Sequence, residues 1–369
     1  MVCDYRSIGR LFMGNRKIGG LGIEIKHLYK IFGPDGADYI KLVEDGLTKA
    51  ELNSRYGHIL GLRDINISMP AGGIQVIMGL SGSGKSTLIR HINRLIDPTS
   101  GEVLIGSEDV VKMDSKQLRE FRRHRTAMVF QKFALLPHRT VVENALYGLE
   151  IQGAPRTRQV DCAMRWIERV GLKGFERKYP NQLSGGMQQR VGLARALAND
   201  APILLMDEAF SALDPLIRMD MQTVLLDLQK EIKKTIVFIT HDLDEALRLG
   251  DRIAILRDGE VVQQGTGQEI VMTPANEYIA SFVREVNRAR VLKIETIALG
   301  PRTAASVPRV SVPVGATLEE AARVMTRAGE TEIAVVDPDR QTIGTVTLER
   351  VLASMVDGVE MKTALRGTG

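Results

Sequence analysis

The chain has 369 residues, 44% of them hydrophobic and 25% charged, with a net charge of +4 and an isoelectric point near 9.0. That is the profile of a globular protein large enough for a sizeable core and a smaller appended module. No apolar run approaches the roughly 18 to 20 residues that span a bilayer, residues 1–22 lack the apolar centre of a secretory leader, and Cys3 and Cys162 are too few and too far apart for a disulfide framework or thiolate metal site. Any membrane work must therefore use spans from other chains, and a cytoplasmic protein is expected.

In chain order, residues 1–22 read as a Gly/Arg-rich lead-in, and Ile23-Glu24-Ile25 opens a strand that runs toward Phe32. Residues 34–58 interrupt this start, and Thr48-Lys49-Ala50-Glu51 is a capping-box pattern that predicts a short helix inside the insertion. Ile74-Gln75-Val76-Ile77-Met78 reads as a buried strand, Gly79-Leu80-Ser81-Gly82-Ser83-Gly84-Lys85-Ser86-Thr87 as a glycine-rich turn, and Thr87 to Leu95 as a helix. No basic block is interleaved with aromatics; Arg122-Arg123-His124-Arg125 reads as a solvated helix end, so nucleic acid is not an expected partner. Ala127-Met128-Val129-Phe130 is a further short strand and ends at Gln131.

Helical segments follow, with Val160, Ala163, Met164, Ile167 and Val170 spaced as one apolar face and Trp166 beside it. Leu183-Ser184-Gly185-Gly186-Met187-Gln188-Gln189-Arg190 opens a helix that runs through Ala196. Ile203-Leu204-Leu205-Met206 reads as a buried parallel strand with Asp207 and Glu208 at its tip. Ile236 to Thr240 is a β-rich strand ending at His241. Beyond about residue 285, Arg309 to Met355 reads as strand, helix, strand, strand, helix, with a second capping box at Thr317-Leu318-Glu319-Glu320.

The turn at 79–87 lies between a strand and a helix, where glycines let backbone N–H groups curl around phosphate and the helix N-terminus adds partial positive charge. In such a phosphate loop Lys85 reaches the β and γ phosphates of a nucleotide and Ser86 ligates Mg²⁺. A buried parallel strand delivers Asp207 and Glu208 to the edge where α/β sheets hold ligands. Asp207 is then the second Mg²⁺ residue, and Glu208 the group that orients and polarises an attacking water.

The glycine-rich helix start at 183–190, in one chain with this loop, resembles the signature motif of ATP-binding cassette (ABC) proteins. The resemblance implies an α/β phosphate-loop ATPase with a helical subdomain, at about 132–190, within an ATPase domain of 23–285. Two copies would sandwich two molecules of ATP, with Ser184, Gly185 and Gly186 of one chain closing on the nucleotide of the other. In this family Gln131 falls in the Q-loop, which touches Mg²⁺ and water, and His241 is the switch histidine at the γ-phosphate. Ser211-Ala212-Leu213-Asp214-Pro215 is the D-loop, which brings Asp214 to the dimer interface. Phe32 sits where cassettes place a ring on adenine, and a core phenylalanine is the equal alternative. Gly79, Ser81, Gly82, Ser83, Gly84, Lys85, Ser86 and Thr87 form the nucleotide cradle.

Narrower still, Ala134-Leu135-Leu136-Pro137-His138 and Asp207-Glu208-Ala209-Phe210-Ser211 resemble the ATPase subunit of glycine betaine/proline/choline importers, in which most other cassettes differ after the acidic pair. This implies permease partners in the membrane and, indirectly, an extracytoplasmic solute-binding protein. It also implies a place on the cytoplasmic face of the inner membrane, and makes Phe133 to His138 a candidate part of the permease-docking groove. Residues 286–369 resemble a linker and one CBS (cystathionine-β-synthase) module, small and α+β; Thr347-Leu348-Glu349-Arg350 carries Arg where the module's adenosine-binding pattern has Asp. Arg302, Arg309, Arg323, Arg327, Arg340 and Arg350 are its candidate contact charges. An importer of another small solute, such as an amino acid or polyamine, and a non-transport ABC ATPase remain as alternatives; the D-loop and signature argue against a plain kinase or GTPase.

Overall fold

The computed structural model describes residues 20–131, 133–211, 213–284, 286–300 and 308–356. Cys3, Ala212, Arg302 and all but the end of the 1–22 lead-in lie outside them. The chain divides into two compact units, Met1–Asp242 with Leu249–Val262, and Leu243–Arg248 with Gln263–Gly369.

The first ten strands are β1 (Ile23–Phe32), β2 (Ile59–Met69), β3 (Ile74–Met78), β4 (Ser100–Ile105), β5 (Glu108–Asp109), β6 (Thr126–Val129), β7 (Ile203–Asp207), β8 (Thr235–Thr240), β9 (Arg252–Arg257) and β10 (Glu260–Gly265). They build two sheets, β2-β1-β4-β5 and β10-β9-β3-β8-β7-β6. The first is antiparallel. In the second, β9, β3, β8, β7 and β6 run parallel, and β3, β7 and β8 are buried along their whole length. Continuous apolar runs suit strands covered on both faces, which is why those three are the plainest in the sequence. The helix Lys85–Ile92 joins the sheets: Leu88, Ile89 and Ile92 share one core with Ile25 and Leu62 of one sheet and Ile77, Leu205 and Ile239 of the other.

The insertion forms a 3₁₀ turn Gly36–Tyr39 and helices Ile40–Glu44 and Lys49–Tyr56. Thr48 and Glu51 make the expected capping box, each side chain accepting from the other's backbone N–H. Val43 and Leu52 are fully buried against Tyr29, Ile31 and Leu60. Each burial contributes roughly 1.5 to 3 kcal/mol, so the insertion is folded and packed onto the first sheet.

The helices Val141–Ile151, Arg156–Arg169 and Gly185–Ala198 contact one another. On the middle helix the buried face is Gln159, Ala163, Trp166 and Ile167, whereas Met164, expected on the apolar stripe, is exposed. The face turns because Trp166 occupies the inner position and Gln159 satisfies its amide on the Ala154 carbonyl at 2.8 Å. Arg122 also departs from the solvated end expected of it: its guanidinium donates to the carbonyls of Asn93 and Arg94.

In the second unit β11 (Ser311–Pro313), helix Leu318–Ala328, β12 (Glu332–Val336), β13 (Thr342–Thr347) and helix Leu348–Val356 follow in the expected order. The strands form a sheet β11-β12-β13, parallel then antiparallel. Thr317 and Glu320 close the second capping box, and Leu318, Ala321 and Met325 form the buried face. Arg323 pairs with Glu319 at 3.1 Å, and Arg350 donates its backbone N–H to Thr347 Oγ1 at 3.3 Å.

Candidate functional site

Four neighbouring parallel strands end together. In register, Met78 lies beside Thr240, Ile239 beside Asp207, and Met206 beside Val129. The residues that follow are the 79–87 turn, His241, Asp207 with Glu208, and Gln131. Sheet order alone thus gathers the phosphate loop, the acidic pair, the glutamine and the histidine at one carboxyl edge, the usual ligand position in such sheets.

The turn has the conformation of a phosphate cradle. Gly79, Gly82 and Gly84 have φ of 152°, 77° and 101°, and a Cβ on Gly79 would stand 2.2 Å from the Leu256 carbonyl oxygen, so only glycine fits there. Gly84 is the N-cap of Lys85–Ile92 and supplies no side-chain cap, which leaves first-turn N–H groups for a ligand. The Lys85 ammonium donates to the Gly79 and Leu80 carbonyls at 2.8 and 2.9 Å. Burial pushes its pKa down, opposed by Glu208 and Asp207. An anion with three oxygens is better matched to this buried ammonium than two carbonyls.

Ser86 Oγ donates to Asp207 Oδ1 at 2.8 Å. Asp207 is fully buried, and burial raises its pKa against the Ser86 bond and the Arg90 charge. Its Oδ2 accepts no hydrogen bond; the Arg90 guanidinium stands 3.7 Å off. A hydroxyl bonded to a buried carboxylate with an orphaned oxygen is a pair of oxygen donors, the type a hard cation such as Mg²⁺ takes.

Glu208 adopts φ 47°, a left-handed turn that swings its carboxylate off the strand. Oε2 accepts from Gln131 Nε2 at 2.7 Å, and Oε1 is 3.8 Å from His241 Nδ1. The turn is pinned at its carbonyl by Ser211 Oγ at 2.9 Å and by Gln189 Nε2 at 3.4 Å. The carboxylate is therefore oriented by the Gln131 amide on one side, with His241 flanking it on the other, an arrangement suited to positioning a water.

Other expected positions lie apart from this cluster. Ser184 caps its own helix, Oγ accepting from Met187 N at 3.3 Å, and Ser184 and Gly185 are exposed. Asp214 caps Pro215–Ile232 through Ile217 N. Phe32, at the end of β1, is 37% exposed with Lys30 Nζ 5.0 Å above its ring, so it is not a core residue.

Three positions were not evident in the sequence. Arg195 reaches from the signature helix to donate to the Phe133 and Ala134 carbonyls at 3.0 and 2.6 Å. Those two residues have φ of 57° and 47°, and desolvation lowers the Arg195 pKa. Asn144, fully buried, binds Leu136 N and the carbonyls of Leu136, Arg139 and Thr140. Together Arg195 and Asn144 shape the segment after Gln131. Gln189 is the third.

The geometry and the comparisons agree. The ABC transporter family profile matches residues 62–211, and the CBS domain profile matches 304–357. The glycine betaine transport ATP-binding protein OpuAA of Bacillus subtilis is 53% identical over 291 residues, 76% of this chain and 70% of that protein. The glycine betaine/carnitine transport ATP-binding protein GbuA of Listeria monocytogenes is 46% identical over 347 residues, 93% of this chain and 85% of the other. Among solved structures, a dimeric bacterial ABC transporter cassette superposes with a TM-score of 0.58 at 34% identity, over 66% of this chain and 98% of its own. The chain belongs to the ABC transporter family. Within it, this is an ATPase subunit that carries a C-terminal CBS domain, and no helix among its described residues is long and apolar enough to cross a membrane.

Proposed function

We propose that this subunit energises uptake of a quaternary ammonium osmoprotectant such as glycine betaine, proline betaine or choline. It works as a homodimer beneath transmembrane permease subunits on the cytoplasmic face of the membrane, while an extracytoplasmic binding protein selects the solute. The observation that carries the reading is the Glu208 carboxylate held between Gln131 and His241 beside Lys85 and Ser86, in a chain similar along 93% of its length to a betaine/carnitine ATPase.

ATP would lie in the cradle 79–87 with its base on Phe32. Lys85 leaves the two carbonyls for the β and γ phosphates. Ser86, Asp207 and Gln131 would hold Mg²⁺, which offsets phosphate charge when bound. Glu208 orients a water for in-line attack on the γ-phosphorus, and His241 steadies that carboxylate and the γ-phosphate. Ser184, Gly185 and Gly186 of the second chain aim a helix N-terminus at the same phosphate, with Asp214 at the interface. Loss of the γ-phosphate removes the charge that closes the dimer. Residues 23–285 act as the ATPase domain and 286–369 as linker and CBS module.

The test is reconstitution with the cognate permease and binding protein in liposomes, reading ATP hydrolysis against candidate solutes. Stimulation by a betaine or choline is the expected result. Stimulation only by an amino acid or polyamine replaces the solute assignment, and hydrolysis indifferent to the permease overturns the transport reading.

A further inference from the structure

The insertion leaves and rejoins the first sheet through a narrow neck. Phe32, the last residue of β1, pairs with Ile59, the first of β2, and the chain between them departs through Gly33-Pro34 and returns through Tyr56-Gly57-His58. His58 lies across this neck. Its Nδ1 is 2.6 Å from the Tyr56 carbonyl oxygen and its Nε2 is 2.6 Å from the Pro34 carbonyl oxygen. A carbonyl oxygen only accepts, and a neutral imidazole donates from one nitrogen. A neutral ring would therefore point a lone pair at an oxygen 2.6 Å away. Both contacts hold together only when both nitrogens carry protons, as two charge-assisted hydrogen bonds.

The surroundings suit a cation. The Tyr39 ring is 4.3 Å from the imidazole and itself 5.1 Å from the Tyr56 ring, and aromatic faces stabilise positive charge. Asp35 is the charged group that faces it. The Pro34 carbonyl bond, then the Tyr56 carbonyl bond, raise the His58 pKa above the ordinary value, with desolvation opposing and Asp35 adding to the rise. Gly33, at φ 141°, makes room: a Cβ there would come within 2.3 Å of His58 Cδ2.

We propose that protonated His58 is a positioning residue for the adenine wall, clamping the neck so that Phe32, with Ile59 beside it, presents its ring to the base. The inference rests on the reading of Phe32 as the adenine platform. Phe32 is 37% and Ile59 53% exposed, side by side at the mouth of the neck, and the Phe32 ring rests on Gly61, where a Cβ would meet Cε2 at 2.6 Å. Opening the neck frees both ends of that pair. Because the folded-state pKa is raised, the clamp is fully present below the ordinary histidine value of about 6.5 and is lost as pH climbs through the raised one. ATP binding should weaken in that direction.

The experiment measures ATP affinity of the full-length protein from about pH 6 to 9.5 for wild type, His58→Gln, Phe32→Ala and the double variant. Taking the ratio of wild type to His58→Gln at each pH cancels the titration of ATP itself. His58→Gln should weaken binding roughly threefold to tenfold at the acidic end and converge on wild type at the alkaline end. Phe32→Ala should weaken binding at every pH, and His58→Gln should add nothing on that background. If His58→Gln binds like wild type at low pH while Phe32→Ala is weakened, the clamp is wrong and the platform stands. If Phe32→Ala is without effect, the platform reading falls and takes the clamp with it. Should His58→Gln not fold, nitrogen NMR of labelled histidine in the wild-type protein decides directly: both His58 ring nitrogens protonated at neutral pH is expected, and a neutral ring overturns the proposal.

Discussion

Two helices in this chain begin on glycine- and serine-rich turns, and they are finished in opposite ways. At Lys85–Ile92 the flanking side chains are already engaged within the chain: Lys85 is buried on two carbonyls and Ser86 is bonded to Asp207. At Gly185–Ala198 Ser184 bonds only its own helix, and the turn faces outward. Both starts have the chemistry of a phosphate site, but only the first has a lysine, a carboxylate pair and an oriented glutamine around it. In the proposed function the second is half a site, to be completed by another chain. The dimeric state of the matched cassette fits that conclusion.

The largest expected effects separate binding from chemistry at the complete site. Glu208→Gln keeps the Gln131 contact possible but cannot polarise water as a carboxylate does, so hydrolysis should fall by at least about 100-fold with ATP binding retained. Lys85→Ala should lose affinity as well, because the only buried ammonium of the loop is gone. Nucleotide binding and phosphate release, measured on both variants, check this. Near-wild-type turnover in Glu208→Gln would reassign the water-positioning role.

The half-site is tested by mixing chains. Homodimers of Ser184→Arg or of Lys85→Ala should each be inactive. A mixed dimer should recover one composite site, built from Lys85 of the Ser184→Arg chain and Ser184 of the Lys85→Ala chain. Recovery of a substantial part of the activity is the expected result. No recovery, with ATP-driven crosslinking intact, would mean that the two sites fire only together.

The parts of this arrangement that were legible in the sequence are those written in local pattern. The runs at β3, β7 and β8 are mostly apolar, with Gln75, Asp207, Thr235 and Thr240 the polar positions, because parallel strands are covered on both faces, and the capping boxes at Thr48 and Thr317 are four-residue rules. The phosphate loop and Glu208 could be placed because each follows such a strand. Arg195 was invisible because its partners are the carbonyls of Phe133 and Ala134, which point at it only after both residues turn left-handed. His58 was invisible for the same reason, since Pro34 and Tyr56 meet it only once the insertion closes. Trp166 displaced Met164 from the inner face because spacing gives a helix its stripe, while neighbouring helices decide how that stripe is turned.

Arg195 also ties the two regions together, running from the signature helix to the segment next to Gln131. Arg195→Lys can satisfy one of the two carbonyls but not both in the same geometry. Turnover should drop by about tenfold, an effect on the scale of a modest loss of alignment, while ATP affinity stays within about twofold. If thermal stability falls and turnover per folded molecule does not, Arg195 is a structural brace only.

The smallest effect is the sharpest probe of the half-site. Within its own chain Ser184 is a helix cap, so Ser184→Ala should cost the isolated subunit about 1 kcal/mol. Ser184→Asp restores the cap, because a carboxylate oxygen accepts from Met187 N as well as a hydroxyl does, and a negative charge at a helix N-terminus is favourable. Judged by the melting temperature of the nucleotide-free protein, the aspartate variant should match or slightly exceed wild type. In the ATP-closed dimer the same carboxylate would face the γ-phosphate of the other chain, where two anions share one helix end and repel. Ser184→Asp should therefore keep ATP binding in each monomer and lose ATP-driven dimerisation, with hydrolysis lost in step. Sedimentation of Glu208→Gln with and without the added Ser184→Asp reads this without turnover. If the double variant still dimerises on ATP, Ser184 does not meet the partner's phosphate, and the exposed turn at Ser184 and Gly185 serves its own helix alone.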